Sequence, residues 1–119
     1  MKARPENSEA LPVNPETSIS LKVDRDFITF SFAEIIYTQS LGNYVKISTT
    51  HGSYVCSITT TELEKRLPLN LFQRIHKSHI VALDKITRFN QSTLTVGEEL
   101  LPVGITYRRE LAERLSKRL

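Results

Sequence analysis

Four residues inside a six-residue window, Arg74, His76, Lys77 and His79, can all engage an anion, and Ser78 adds a hydroxyl between them. Guanidinium, ammonium, hydroxyl and imidazolium groups bind phosphate, and arginine or lysine can also meet guanine O6 and N7. Arg108 and Arg109 form a second basic group, directly after Thr106 and Tyr107 and a turn at Gly104. Asn43 and Tyr44 top another turn, with Lys46 two residues further on. Asparagine can bond adenine bidentately, and tyrosine can touch phosphate or base. Taken singly, each residue reads as a solvated charge or a turn former. Three such groups at loops between strands favour the functional reading, a surface that contacts phosphates and bases.

Other chemistries are poorly served. Cys56 and His76 could pair as nucleophile and base, but Cys56 alternates with Tyr54 and Ile58, the pattern of a small buried residue on one strand face. His76 and His79 stand three apart without a third ligand nearby, so no metal is expected. The chain has no phosphate-cradling loop, no dinucleotide glycine motif and no nucleophile elbow. No cofactor and no enzymatic activity are expected. Glu98-Glu99 beside Gly97 reads as a solvated loop tip. If His76 and His79 take up protons when phosphate docks beside Arg74 and Lys77, affinity should rise as pH falls.

The elements that must position these groups are mostly strands. From Leu21 onward, short runs rich in Ile, Val, Thr, Tyr and Phe alternate with turn signals. Strands are predicted near 21–23, 27–31, 35–40, 44–49, 53–56, 74–76, 80–83, 86–89, 93–96 and 100–103. Gly42-Asn43 and Gly52 mark two hairpin turns, because both residue types tolerate a positive φ. Thr59 with Glu62 three residues on forms a capping box. Ile58 and Leu63 sit at the staple positions, Leu63 and Leu67 share a face, and Pro68 stops a helix over about 60–67. Tyr107, Leu111, Leu115 and Leu119 repeat every four residues and predict a C-terminal helix, with Thr106 placed to cap it.

The chain has 119 residues, 39% hydrophobic and 24% charged, an ordinary globular composition of one domain's size. Apolar runs reach only four residues, far short of the roughly 20 of a membrane-spanning helix. The start lacks the apolar segment of a secretory signal, and a single cysteine cannot form an internal disulfide. A cytoplasmic location is expected. Net charge is +3. Residues 1–20 hold Lys2 and Arg4 against Glu6, Glu9 and Glu16, so the positive excess lies in 21–119. Pro5, Pro12 and Pro15 among polar residues make 1–20 a linker or disordered tail ahead of a domain over 21–119.

The order of motifs resembles the LytTR DNA-binding domain family. The resemblance is carried by Phe32 to Val45 (FAEIIYTQSLGNYV), by Thr59 to Leu67 followed by Pro68, by Phe72 to Val81 (FQRIHKSHIV), and by Leu101-Pro102-Val103 with Tyr107 after it. It covers about 22–119. It implies a mostly β, elongated antiparallel fold of about ten short strands in three small sheets, with one short central helix and a C-terminal helix. It also implies the output domain of a bacterial two-component response regulator, attached to an N-terminal receiver or sensor domain and controlling transcription. In this family loops grip DNA: the Asn43-Tyr44 hairpin and the turn before the last helix would enter successive major grooves, with the Lys77 loop over the minor groove between them. Departures are Gly104 and Thr106, where the family carries Ser and a basic residue, His79 at an aromatic position, and Ala82 where Asn is common.

Two rivals stay open on the residues alone. One is a β-sandwich protein-interaction module whose basic loops bind an acidic partner, and the other is a Cys/His enzyme. On the DNA reading, the domain should self-associate weakly or not at all, since no sustained heptad or long apolar stripe precedes the last helix. Two copies would bind repeated half-sites on one DNA face.

Overall fold

A computed structural model describes residues 14–117. The predicted tail over 1–20 falls largely outside these residues, as does Leu119 at the end of the predicted helix. Ten strands form: β1 (Ser18–Val23), β2 (Asp26–Ser31), β3 (Ile35–Leu41), β4 (Tyr44–Thr49), β5 (Gly52–Cys56), β6 (Phe72–His76), β7 (His79–Ala82), β8 (Ile86–Phe89), β9 (Thr93–Val96) and β10 (Glu99–Pro102). The helices are α1 (Thr60–Arg66) and α2 (Arg108–Ser116), with 3-10 turns at Phe32–Glu34, Leu83–Lys85 and Ile105–Tyr107.

All strand pairing is antiparallel, in three sheets. The central sheet has the order β5-β4-β3-β7-β6, β1-β2 forms a ribbon, and β10-β9-β8 forms a third sheet. The molecule is elongated, 46 × 31 × 24 Å.

Alternation along the central strands sends apolar side chains to both faces, so the sheet separates two cores. On one face Val45, Ile47, Cys56, Phe72, Ile80 and Ala82 pack with Ile19, Leu21 and Phe30 of the ribbon and with Leu63 and Leu67 around α1. On the other, Tyr37, Ile75 and Val81 pack with Leu94, Val96 and Leu101 of the third sheet and with Leu111 of α2. Seven residues are too few for an isolated helix to persist in water. Thr59 caps α1 by accepting the Glu62 amide at 3.2 Å, and fully buried Leu63 fixes the helix on the sheet, a burial worth about 2–3 kcal/mol. The helix stops at Leu67, before Pro68, as the residue types require.

Two departures from strict alternation matter for the site. Pairing shifts by one residue between Ile35 and Tyr37, and again between Arg74 and His76. Each extra residue is a β-bulge, which lets two successive side chains share a face. Ile36 and Tyr37 thus both meet the second core, and Ile75 and His76 share that side while Arg74 points the other way.

Some element ends differ from the sequence expectation. β1 begins at Ser18, three residues before Leu21, because Ser18, Ile19 and Ser20 pair with Ser31, Phe30 and Thr29. The predicted cap at Thr106 is corrected: Thr106 lies within the 3-10 turn, and α2 starts after Tyr107 with no side-chain cap. Arg114 ties α2 to the central sheet instead, donating to the Phe72 carbonyl at 3.3 Å, to Gln73 Oε1 at 2.6 Å and to the Leu69 carbonyl.

Candidate nucleic-acid interface

Three turns gather at one end of the central sheet. β3 runs out to the two-residue turn Gly42-Asn43, and β7 begins opposite Gln39, so the β6–β7 turn at Lys77-Ser78 lies beside the same strand end. The Ser40 amide donates to the Ser78 carbonyl at 2.9 Å and joins the two. The Gly104 amide donates to the Ile75 carbonyl at 2.8 Å, which places the Ile105–Tyr107 turn against the end of β6. The lateral order follows the sheet: hairpin tip, Lys77-Ser78 turn, Ile105–Tyr107 turn.

The hairpin tip is open to solvent. Gly42 takes the positive φ, +67°, that the turn demands, and a Cβ there would meet nothing within 4 Å. Asn43 is exposed and Tyr44 is half-exposed. Lys46 lies on the sheet face opposite Val45, in a cross-strand row with Gln39, His79 and His76. Gln39 was not singled out from the sequence, although its period-two spacing from Tyr37 was the signal for that face.

In the second turn Lys77 is exposed, while the backbone around it is held on every side. His76 Nδ1 accepts the Ser78 amide at 3.1 Å. The amide N–H donates here, so Nδ1 is the accepting nitrogen and Nε2 is left to carry the ring N–H. His79 is buried, and its Nδ1–H donates to the Thr38 carbonyl at 3.1 Å. Burial lowers the pKa of His79 below the ordinary 6.5, the Thr38 bond works against that shift, and nearby His76 adds to it. The protonation on docking expected from the sequence therefore runs against burial at His79, and at His76 it would cost the Ser78 bond.

Arg74, expected as a DNA contact, has its guanidinium engaged within the fold. Its guanidinium donates to Glu64 Oε1 at 3.0 Å, Thr61 Oγ1 at 3.3 Å and the His76 carbonyl at 3.2 Å, and also to the Lys77 carbonyl. Only 14% of its side chain is exposed. The β-bulge between Arg74 and His76 leaves it on the α1 side, away from the row that carries His76.

The third turn exposes Ile105, Thr106 and Arg109, with Tyr107 and Arg108 half-buried. Arg108 Nε donates to the Val103 carbonyl at 3.1 Å, leaving Arg109 as the freer cation. The Tyr107 ring lies over Gly104: a Cβ there would come within 3.1 Å of Tyr107 Cδ2 and 3.8 Å of His76 Cδ2.

Cys56 is fully buried in the first core, on the opposite side of the sheet from His76, and burial pushes its thiol up to about 11. That geometry removes the Cys/His pair. Among the described residues no cluster of three potential ligands could hold a metal ion, and no helix is long and apolar enough to cross a membrane.

The fold is thus an antiparallel β scaffold that presents cationic and amide-bearing turns at the ends of its strands. Residues 25–116 match the LytTr DNA-binding domain, and the chain belongs to the LytTR family. It is 33% identical over 79 residues to the CO-responsive transcriptional regulator RcoM of Rhodospirillum rubrum, covering 60% of this chain and 34% of that protein. It is 29% identical over 103 residues to the sensory transduction protein LytT of Bacillus anthracis, covering 82% and 42%. The chain thus spans between a third and a half of the length of these curated relatives. A solved LytTr DNA-binding domain from Bacillus cereus shares the fold, with TM-score 0.70 at 23% identity over 83% of this chain and 96% of that one.

Proposed function

We propose that this domain is the sequence-reading output module of a cytoplasmic bacterial response regulator, preceded in the whole protein by a receiver or sensor domain. It grips duplex DNA through its three turns. The observation that carries this reading is their placement: exposed Asn43 and Tyr44, exposed Lys77 and exposed Arg109 lie in lateral order at one end of a rigid sheet. Asn43 reads a base edge in one major groove and the turn at Thr106, with Arg109, enters the next. Lys77 and Ser78 meet the phosphates between them, and Lys46 adds charge along the flank. Thr106 offers a hydroxyl where the family carries a cation. Two copies occupy repeated half-sites, and the isolated domain stays monomeric or nearly so.

Titration of the 119-residue chain with duplex DNA at several salt concentrations tests this. Affinity should fall linearly in log[salt], with a slope near −0.9 per neutralised phosphate. Absence of duplex binding at low salt, with capture by acidic protein instead, would replace the DNA reading by the interaction-module one. Selection from a random duplex pool should return a repeated motif. Adding about half a helical turn between its halves should weaken joint binding.

A further inference from the structure

We propose that Arg74 is the positioning residue of the DNA-binding surface: it anchors the Lys77-Ser78 turn to α1 and touches no DNA itself. The inference rests on the reading of Lys77 as a phosphate contact.

The bond pattern carries the argument. A guanidinium has five N–H donors in a fixed fork. Here one edge of the fork holds Thr61 and Glu64 of α1, and the other donors hold the carbonyls of His76 and Lys77. The turn is also fixed from two further sides, by the His76 ring on the Ser78 amide and by the Ser40 amide on the Ser78 carbonyl. Arg74 is the member of this set that reaches outside the sheet. The Glu64 carboxylate offsets its charge, so it adds little to the field that DNA meets. The β-bulge makes this possible, since it allows Arg74 to face α1 while Ile75 and His76 both face the other side.

The physical effect is pre-organisation. A two-residue turn carrying an exposed lysine loses backbone freedom when it docks, and that loss weakens binding. A turn already held by four side-chain and backbone bonds loses that freedom on folding instead. Lysine at position 74 would keep the charge but could not span α1 and two adjacent carbonyls at once.

A double-mutant cycle on the 119-residue chain, with a mixed-sequence duplex as probe, tests the proposal. Lys77→Ala should lower the salt slope by about one and the affinity by roughly tenfold near 0.1 M salt. Arg74→Lys should produce most of that same loss, and the double variant should lose little more than Lys77→Ala alone. A double variant near a hundredfold weaker would show that Arg74 acts on binding independently of Lys77, as a direct phosphate contact would. An unchanged Arg74→Lys would show that the anchor does not matter for binding. Glu64→Gln supplies a second arm that does not depend on Arg74→Lys folding. By simple Coulomb repulsion, removing this carboxylate should strengthen DNA binding; by loosening the anchor it should weaken it and lower the slope. Strengthened binding overturns the proposal. If Lys77→Ala itself changes neither affinity nor slope, the phosphate-contact reading fails first, and the two failures are told apart.

Discussion

The Gly42-Asn43 tip and the Lys77-Ser78 turn are both two-residue turns at the same end of one sheet, yet they are restrained by opposite means. The first is held by backbone alone: the β3–β4 ladder closes at Leu41 and Tyr44, and Gly42 supplies the positive φ. The second is held from three directions, by the Arg74 and His76 side chains and by the Ser40 backbone amide at the end of β3. A phosphate oxygen sits at a position set by the duplex backbone whatever the sequence, so a fixed cation suits it. A base edge differs from step to step, and an unclamped tip with a short amide can adjust to it. On the proposed reading, in which Lys77 meets phosphate and Asn43 a base, the division of labour lies in how the two turns are restrained as much as in residue type.

The comparison breaks most visibly at Arg74. Arg74→Ala leaves two carbonyls and Glu64 without their donor, and it should cost about 2–3 kcal/mol of stability in thermal or urea unfolding. A loss below about 0.5 kcal/mol would show that the turn does not need its anchor. Asn43→Ala should leave stability alone and cost roughly 1–3 kcal/mol of affinity on the best selected site, with little change on random duplex. Equal loss on both DNAs would make Asn43 a turn former and not a reader. Gly42→Ala should cost about 1 kcal/mol of stability, purely from backbone conformation, since no atom crowds the added methyl. A neutral result would mean that the tip can change turn type.

The smallest effect concerns pH. His79 has its pKa lowered by burial, so the unfolded chain takes up the proton first as pH falls. Its contribution to stability is therefore complete above about pH 6.5 and is lost as pH drops below that, at no more than about 1.4 kcal/mol per pH unit for one proton. His79→Phe, which keeps the aromatic contact with Tyr37, should flatten this part of the profile in urea unfolding at pH 7 and pH 5. An unchanged slope assigns the proton elsewhere.

Residue types made the frame readable because local and tertiary preferences agree there. Thr59 caps, Leu63 buries and Pro68 terminates, each for a local reason that survives in the fold. The hairpins at Gly42 and Gly52 follow from the need for positive φ. The two bulges were not legible, because an extra residue in β3 or β6 is fixed by what packs on each face and leaves no mark in a period-two pattern. For the same reason Arg74 looked like a partner of Lys77 in binding phosphate. Only the placement of α1 on its side of the sheet shows that it faces inward. Ser18 to Ser20 looked like tail because the strand's support comes from β2 across the ribbon, not from its own composition.

The sole cysteine has a practical consequence for watching the domain work. Buried in the first core and shifted to about 11, Cys56 is ionised in only on the order of one molecule in ten thousand at neutral pH. A maleimide dye should therefore pass it by while reacting with a thiol introduced at an exposed turn such as Ser92→Cys, without first removing the native residue. With a second dye on one end of a duplex, single-molecule energy transfer would report which way round the domain sits on its site and how often it turns over. Neither is visible in a bulk titration.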